Sequence, residues 1–394
     1  MNLSHNPKAK IGIFSFFSGA GFLDLGFEKT EGYTNLFVNE YHPPFLDIHK
    51  YSRANLRLDS PIFGYNSDDI ENLLSQKKNL QLAEKIKESR KSLDLIGFIG
   101  GPPCPDFSVG GKNKGSKGEN GKLSATYVEL IIRNRPDFFL FENVKGLYRT
   151  TKHRIFFETL KIKLIENGYL LTEKLINSIE YGAPQDRERI ILIGFKSDTL
   201  LDFGVTLKKS PILQTFDWNS KILYSANDIL SKGWPRQEDF IENSNKAFPK
   251  GINKKLTVQY WFDKNDVLNH PNSKHYFQPR AGLPKFQSIP EGDDLKKSYK
   301  RLHRWRYSPT AAYGNNEVHL HPYQARRISV SEALAIQSLP KDFIIPEDIS
   351  LTNMFKSIGN GVPYLAAKGL AETIFNYVEG LKINESKYAE TYSQ

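Results

Sequence analysis

Five short and almost wholly apolar segments, separated by stretches with helical patterning, constrain the fold of this chain more than any other feature. They are Ile11 to Phe17, Asn35 to Asn39, Leu93 to Ile99, Asp137 to Phe141 and Arg189 to Phe195. Strands that are apolar along their whole length are typical of parallel sheets covered by helices on both faces. The sequence therefore predicts an α/β fold with a doubly wound, mostly parallel sheet.

The alternation of strands and helices stops after Lys196. The residues from there to about 325 are rich in Asn, Lys, Pro and aromatic side chains and show no regular period. Because 394 residues are more than one small domain needs, we expect two domains, or one large domain with an insertion. We assign residues 1–196 and about 341–394 to the sheet domain, and about 197–340 to a smaller, irregular domain.

The chain has a single cysteine and a formal net charge of +10. One cysteine excludes an internal disulfide and a zinc site built from several thiolates. Excess positive charge favours a polyanionic partner such as nucleic acid, although many basic proteins bind none. No apolar run approaches membrane-spanning length, and Met1 to Lys10 lack the apolar region of a signal peptide. We therefore expect an intracellular protein without membrane contact.

A glycine-containing turn, FSGAG at residues 17–21, follows the first predicted strand. Glycines at such a turn allow the backbone to approach a ligand closely, although a plain structural turn is the alternative. A dinucleotide-binding turn would have a third glycine where this chain has Asp24, which disfavours a dehydrogenase. Glu40 ends the next predicted strand, where a carboxylate can accept both ribose hydroxyls of a nucleoside. Asp69 is a similar candidate after the following apolar run.

The only cysteine, Cys104, lies in GGPPCPDFS, residues 100–108, directly after the third predicted strand. A free cysteine is more often a small buried hydrophobe, but a core cysteine would rarely lie among prolines and glycines. Ligands bind at this end of the strands in such sheets. The following loop, residues 109–122, is rich in glycine and lysine. Its lysines could contact phosphates, and a disordered surface loop is the alternative.

A glutamate, Glu142 in FENV, ends the fourth predicted strand and therefore lies on the same sheet edge as Cys104. Methylation of cytosine at carbon 5 needs such a pair, because a thiolate must add to carbon 6 while an acid protonates or hydrogen-bonds N3. Burial can raise the pKa of a glutamic acid enough for this role. Arg187 and Arg189, in QDRER, share one side of an extended segment and could hold the base, the glutamate or a phosphate. Ordinary charges on an edge strand are the alternative.

These five sites, in this order, resemble the DNA (cytosine-5) methyltransferase family. Two later segments do so as well, RRISVSEALAIQSLP at 326–340 and GNGVP at 359–363. The resemblance covers about 11–196 and 326–379 and leaves the middle unmatched. The chain departs from the family pattern at Pro105, Ser15 and Leu339, where the family usually has Gln or Asn, Asp, and Phe.

The resemblance implies an S-adenosylmethionine-dependent, Rossmann-like domain together with a domain that recognises DNA. It makes Cys104 the nucleophile and Glu142 the acid, with Arg187 and Arg189 holding the base and orienting the thiol and the glutamate. The residues implied to bind the cofactor are Phe17, Gly19, Gly21, Glu40, Asp69 and Asn360. The residues implied to contact the substrate are Pro103, Ser108, Lys112, Thr310 and Arg326. Arg326 would also pair with Glu332.

The implied reaction flips a cytosine out of double-stranded DNA and uses S-adenosylmethionine, leaving S-adenosylhomocysteine, without a metal. The implied setting is the bacterial cytoplasm, where a monomer would act with a restriction endonuclease of the same target. An RNA cytosine methyltransferase is disfavoured by the long unmatched middle. A catalytically inactive relative is disfavoured by the intact Cys104, Glu142, Arg187 and Arg189. A cysteine hydrolase would need a histidine base, and the five sites contain none.

Overall fold

The computed structural model describes residues 8–103, 119–208, 210–279, 281–296, 298–311, 313 and 318–392. Its central element is a seven-stranded sheet. The strands are β1 Ile11–Phe16, β2 Tyr33–Asn39, β3 Tyr65–Asn66, β4 Leu95–Gly100, β5 Phe138–Val144, β6 Tyr169–Asn177 and β7 Glu188–Lys196. Their order across the sheet is β3-β2-β1-β4-β5-β7-β6. All neighbours are parallel except β7, which runs antiparallel to β5 and β6. The predicted α/β class and mostly parallel sheet are confirmed.

The α-helices cover both faces of this sheet and continue into the middle of the chain. They are α1 Phe22–Glu28, α2 Pro43–Asn55, α3 Gln76–Ser89, α4 Glu119–Asn134, α5 Lys145–Arg149, α6 Thr151–Glu166, α7 Ser197–Asp202, α8 Ala226–Leu230, α9 Val258–Lys264, α10 Leu283–Ser288, α11 Val330–Ile336, α12 Leu351–Asn360 and α13 Tyr364–Tyr392. A small second sheet pairs β8 Lys300–Arg301 with β9 His319–Leu320. Within the described ranges, no helix combines the length and the apolar character needed to cross a lipid bilayer.

Two hydrophobic cores lie on opposite faces of the seven-stranded sheet. The first contains Phe27 of α1 and Leu370 and Ile374 of α13. The second contains Leu82 of α3 and Leu160 of α6. Burial on both faces explains why the central strands are apolar along their whole length, since neither side of them faces water.

The five predicted strands are all present, and their observed ends differ from the predicted ones by three residues or fewer. β3 and β6 were not predicted. β3 has only two residues, and β6 (YLLTEKLIN) lies at the sheet edge, where most of its middle residues are only half-buried. Such a strand lacks the continuous apolar run that identified the others.

The chain does not leave the sheet domain abruptly at residue 196. Leu200 and Phe216 belong to the first core, and the Leu213 backbone N–H donates to the Leu171 carbonyl of β6 at 2.9 Å. Further along, a third core joins residues of α1, α2, α9, α11 and α12. The middle of the chain therefore packs directly on the sheet domain at its start and at its end, and the domain limits drawn from the sequence remain a prediction.

Candidate active site

One edge of the sheet collects most of the residues singled out from the sequence. The carboxyl ends of β1, β2, β4 and β5 and the amino end of β7 meet there, because β7 runs opposite to its neighbours. Phe17, Glu40 and Gly101 directly follow β1, β2 and β4, while Glu142 and Arg189 lie in β5 and β7. We call this side of the sheet the carboxyl edge.

The carboxylate of Glu142 is buried and paired. Glu142 is 8% exposed, and its Oε1 lies 2.9 Å from Nε of Arg189. Burial raises the pKa of Glu142, although the positive charges of Arg189 and Arg187 act against this rise. The side chain can therefore retain a proton at a higher pH than an exposed glutamate.

The backbone leading to Cys104 lies directly against this glutamate. A Cβ atom at Gly101 would lie 2.6 Å from Oε2 of Glu142, so a larger residue there would collide with the carboxylate. The side-chain amide of Asn143 donates to the Pro102 carbonyl at 3.4 Å and accepts from the Val144 backbone N–H at 2.8 Å. Pro103 is exposed. Cys104, Ser108 and Lys112 lie outside the described residues.

The two arginines of QDRER have different surroundings despite their spacing of two. Arg187 is fully buried, and its Nη1 and Nη2 donate to the carbonyls of Ala311 and Gly359 at 2.7 and 2.8 Å. The side chain of Arg189 is 12% exposed and contacts Glu142. Arg187 therefore links distant segments of the backbone, whereas Arg189 touches the predicted acid.

Thr310 comes from the unmatched middle of the chain, yet it lies at the carboxyl edge. The Ser308 N–H donates to the Pro184 carbonyl at 2.8 Å, and the Asp186 N–H donates to the Ser308 carbonyl at 2.9 Å. The Thr310 hydroxyl donates to the Asp186 carbonyl at 2.7 Å. Residues 308–311 therefore lie alongside QDRER, and Ser308 forms an isolated parallel bridge with Gln185.

The glycine turn, residues 17–21, is joined to Glu40. The Gly19 and His42 backbone N–H groups each donate to one oxygen of the Glu40 carboxylate at 2.8 Å. Glu40 is 8% exposed, and burial raises its pKa against these two hydrogen bonds. Apart from Gly19 and its chain neighbours, no atom of the described residues lies within 4 Å of the position that a Cβ at Gly19 would occupy, so the space above the turn is open. The buried hydroxyl of Ser18 has no hydrogen-bond partner among the described residues.

The other cofactor candidates surround this turn less closely. Phe17 has a φ of 53°, unusual for a bulky residue, and its ring meets Tyr127 edge-to-face at 6.1 Å. Asp69 accepts from the Glu71 backbone N–H at 2.9 Å, which caps a 3-10 turn. Asn360 is the exposed last residue of α12.

Arg326 is engaged at the start of α11. Its Nη2 and Nη1 lie 2.7 and 2.9 Å from the two oxygens of Glu332, so the implied ion pair is present. The Ser329 backbone N–H donates to the same carboxylate at 2.7 Å, completing a capping box. A contact of Arg326 with the substrate remains a prediction.

The sequence model of the C-5 cytosine-specific DNA methylases matches residues 11–376. The chain belongs to this family. It is a DNA (cytosine-5) methyltransferase, as the order of the five sites predicted. The family assignment also removes the cysteine hydrolase, and it favours DNA over RNA as the methylated nucleic acid.

Relatives of known type extend over nearly the whole chain. The chain is 60% identical to the Type II methyltransferase M.NmeDI of Neisseria meningitidis serogroup C, over 93% of this chain and 84% of the relative. It is 27% identical to the Type II methyltransferase M.MthTI of Methanothermobacter thermautotrophicus, over 94% and 98% of the two chains. These two matches include the middle segment that carried no recognisable motif.

Solved structures of methyltransferases share the fold. Entamoeba histolytica methyltransferase EhMeth has a TM-score of 0.58 and 13% identity, covering 94% of this chain and 99% of the other. S. pombe Dnmt2 methyltransferase has a TM-score of 0.57 and 12% identity, with the same coverage. Identities this low establish the fold alone.

Two residues of this methyltransferase's site were present in the recognised motifs but were given no role from sequence. Gly101 comes shortly before Cys104, and Asn143 directly follows Glu142. The pairing of β4 with β5 shows that Gly101 lies against the Glu142 carboxylate and that Asn143 holds the Pro102 carbonyl. The pairing of these strands could have suggested that GGPP and ENV touch. Gln185, which accepts from the Ala311 N–H at 3.1 Å, had no such signal because its partner is 126 residues away.

Proposed function

We propose that this DNA (cytosine-5) methyltransferase holds a flipped cytosine at the carboxyl edge and attacks it with the thiolate of Cys104. The observation that carries this proposal is the environment of Glu142. Its buried carboxylate has a raised pKa and lies between Arg189 and the backbone that leads to Cys104. A nucleophile and an acid are thereby available on one side of the sheet.

Glu142 acts as the acid at N3 of the cytosine. Donation of its proton to N3 withdraws electrons from carbon 6 and favours addition of the thiolate there. The bond between sulfur and carbon 6 makes carbon 5 enamine-like and therefore nucleophilic. Arg189 keeps the carboxyl group in place through its 2.9 Å contact and lies where it can also approach the base.

Cys104 is the next residue after Pro103 and the only thiol of the chain. The closeness of the Gly101 backbone to the Glu142 carboxylate and the hydrogen bond between Asn143 and Pro102 support a position of Cys104 near the acid. After carbon 5 has received the methyl group, a base removes the carbon 5 proton. The bond between sulfur and carbon 6 then breaks, which restores the aromatic ring and the thiolate. Pro103 would offer its carbonyl to the cytosine amino group, and Ser108 and Lys112 would contact the DNA.

The glycine turn and its neighbours would hold S-adenosylmethionine. Three features fit a nucleoside ligand: the open space above Gly19, the carboxylate of Glu40, and the buried hydroxyl of Ser18, which has no partner within the described ranges. Phe17 would contact the adenine ring, Glu40 the ribose and Asp69 the adenine amino group, while Asn360 would close the pocket. When bound, S-adenosylmethionine supplies a methyl group on a sulfonium and leaves as S-adenosylhomocysteine.

The middle of the chain, about 197–340, would recognise double-stranded DNA. A net charge of +10 suits phosphate contacts, and Thr310 and Arg326 are the proposed contributors from this region. The relatives named above are Type II methyltransferases of prokaryotes. We therefore infer that the enzyme protects its target from a restriction endonuclease, and we propose that it acts as a monomer in the bacterial cytoplasm.

The test uses DNA that contains 5-fluorocytosine in place of cytosine. Fluorine at carbon 5 cannot leave as a cation, so the enzyme should remain covalently attached to such DNA after methyl transfer. The expected result is a denaturant-stable complex that requires S-adenosylmethionine and is absent from Cys104→Ser. This variant should still bind unmodified DNA within about tenfold of the wild type, since phosphate contacts dominate affinity. RNA with the same substitution should give no complex. A complex that persists in Cys104→Ser would contradict the nucleophile assignment.

A further inference from the structure

A buried arginine lies beneath the glycine turn. The side chain of Arg53, from α2, is 2% exposed. Its Nη2 donates to the Gly21 carbonyl at 2.5 Å, and its Nη1 lies 3.4 Å from the Ala20 carbonyl. Two consecutive peptide groups of the turn are therefore held by one guanidinium that comes from another element.

The orientation of this guanidinium is set by Glu28, at the end of α1. Nε and Nη2 of Arg53 lie 2.9 and 2.8 Å from the same oxygen of Glu28, whose side chain is 9% exposed. The other Glu28 oxygen accepts from the Asn35 amide at 2.8 Å. Because the planar guanidinium has its donors in fixed directions, the pair with Glu28 aims the remaining donors at the turn.

His49 lies one helical turn before Arg53 on the same face of α2. It is fully buried, and its Nε2 lies 2.9 Å from Asp24, which also accepts from the Ser15 hydroxyl at 2.5 Å. Gly21 has a φ of 78°, and a Cβ there would lie 2.3 Å from His49 and 2.7 Å from Arg53. The lower side of the turn is therefore filled.

On its other side the turn is held by Glu40, which accepts from the Gly19 N–H. We propose that Arg53 is a positioning residue for S-adenosylmethionine, because its hydrogen bonds to the Ala20 and Gly21 carbonyls fix the turn that, with Glu40, receives the cofactor. The inference rests on the proposed cofactor site. When the turn is already in its binding geometry, it does not have to become ordered as the ligand binds. The affinity for the ligand is therefore not reduced by an ordering cost.

The test removes Arg53 without leaving a buried charge. Arg53→Met together with Glu28→Gln deletes both members of the ion pair, whereas Glu28→Gln alone retains the Arg53 guanidinium but removes the carboxylate that orients it. We expect the double variant to bind S-adenosylmethionine about tenfold more weakly by calorimetry, with kcat at saturating cofactor and KM for DNA within about twofold. Glu28→Gln alone should weaken cofactor binding by less than the double variant does, because the donors of Arg53 remain but their orientation is less fixed.

A second variant covers the possibility that the double variant does not fold. Arg53→Lys keeps a positive charge beside Glu28, but one ammonium group cannot reach both carbonyls and the carboxylate. It should also weaken cofactor binding, by about threefold or more. A purely structural role would lower the melting temperature of either variant without changing cofactor affinity, and unchanged affinity in a folded variant would overturn the inference.

Glu40→Ala separates failure of this inference from failure of the proposed cofactor site. If Glu40→Ala weakens S-adenosylmethionine binding and the Arg53 variants do not, only the role of Arg53 is wrong. If Glu40→Ala also leaves the affinity unchanged, the cofactor does not bind at this turn, and both proposals fail.

Discussion

The guanidinium of Arg187 donates to the carbonyl of Ala311, 124 residues further along the chain, at 2.7 Å. Its second terminal nitrogen donates to the Gly359 carbonyl at 2.8 Å. One buried side chain thus ties residues 308–311 and the end of α12 to the start of β7. Arg189 lies two residues after Arg187 and contacts Glu142, so a movement of these segments would shift Arg189 relative to the glutamate.

Arg187→Lys should destabilise the protein by about 1–3 kcal/mol, the usual cost of leaving a buried polar group without its partner. A lysine has one nitrogen and cannot satisfy both carbonyls. The measurement is the free energy of unfolding from urea titration. The matched control is Arg149→Lys, which alters an exposed arginine paired with Glu188 at 3.2 Å and should change stability by about 0.5 kcal/mol or less. Equal effects of the two substitutions would show that the carbonyl bonds of Arg187 contribute nothing.

Gly101→Ala should lower kcat about tenfold with little effect on S-adenosylmethionine binding. The new methyl group would meet Oε2 of Glu142 and displace the acid from its contact with Arg189. Single-turnover rates of methyl transfer report this step directly. Gly233→Ala is the control, because in the described part of the chain only its sequence neighbours lie within 4 Å of a Cβ at that position. A fully active Gly101→Ala would mean that the position of the Glu142 carboxylate does not limit the reaction.

The rate of methyl transfer should fall as pH rises through the pKa of Glu142. Burial raises this pKa, so Glu142 is fully protonated at pH values below the usual pKa of a glutamate. It loses its proton only at a higher pH than an exposed glutamate does. The charge of Arg189 lowers the same pKa, so Arg189→Gln should raise it and move the alkaline fall in rate to higher pH. The position of this fall, not the maximal rate, is the quantity to compare. A profile that is unshifted in Arg189→Gln would assign the titration to another group.

Exchange of residues 219–307 for the matching segment of another family member should transfer that member's target sequence. The exchange leaves the 308–311 segment in place, together with residues up to Trp218, whose ring nitrogen donates to Thr172 of β6 at 2.8 Å. Bisulfite sequencing of plasmid DNA from cells making the chimera gives the methylated site. A wider exchange, of 197–325, should be less stable because it removes Leu200 and Phe216 from the first core. An active narrow chimera that retains the original target would locate recognition elsewhere.

The sequence predicted those parts of the structure that are determined by residues close together in the chain. β1, β2, β4, β5 and β7 were predictable because strands buried on both faces have continuous apolar runs. A contact of Arg189 with the glutamate was one of three possibilities drawn from QDRER, and that contact is present. The meeting of the two residues at one sheet edge was not predicted, because QDRER opens β7 and reaches this edge only through the antiparallel direction of that strand. The pair of Arg53 with the glycine turn was not predictable. Helical spacing shows that His49 and Arg53 share a face, but not what lies opposite that face.

The packing of α13 beside α1 has a consequence for how the enzyme is made. The hydroxyl of Tyr33 donates to the carbonyl of Ala371 at 2.9 Å, across 338 residues of sequence. On a ribosome, the sheet face that these residues cover therefore stays open to water until α13 has left the exit tunnel. During that time the apolar side chains of β1 and α1 are available to chaperones and to aggregation. A chain of this kind should become competent to bind cofactor only after α13 has emerged from the ribosome.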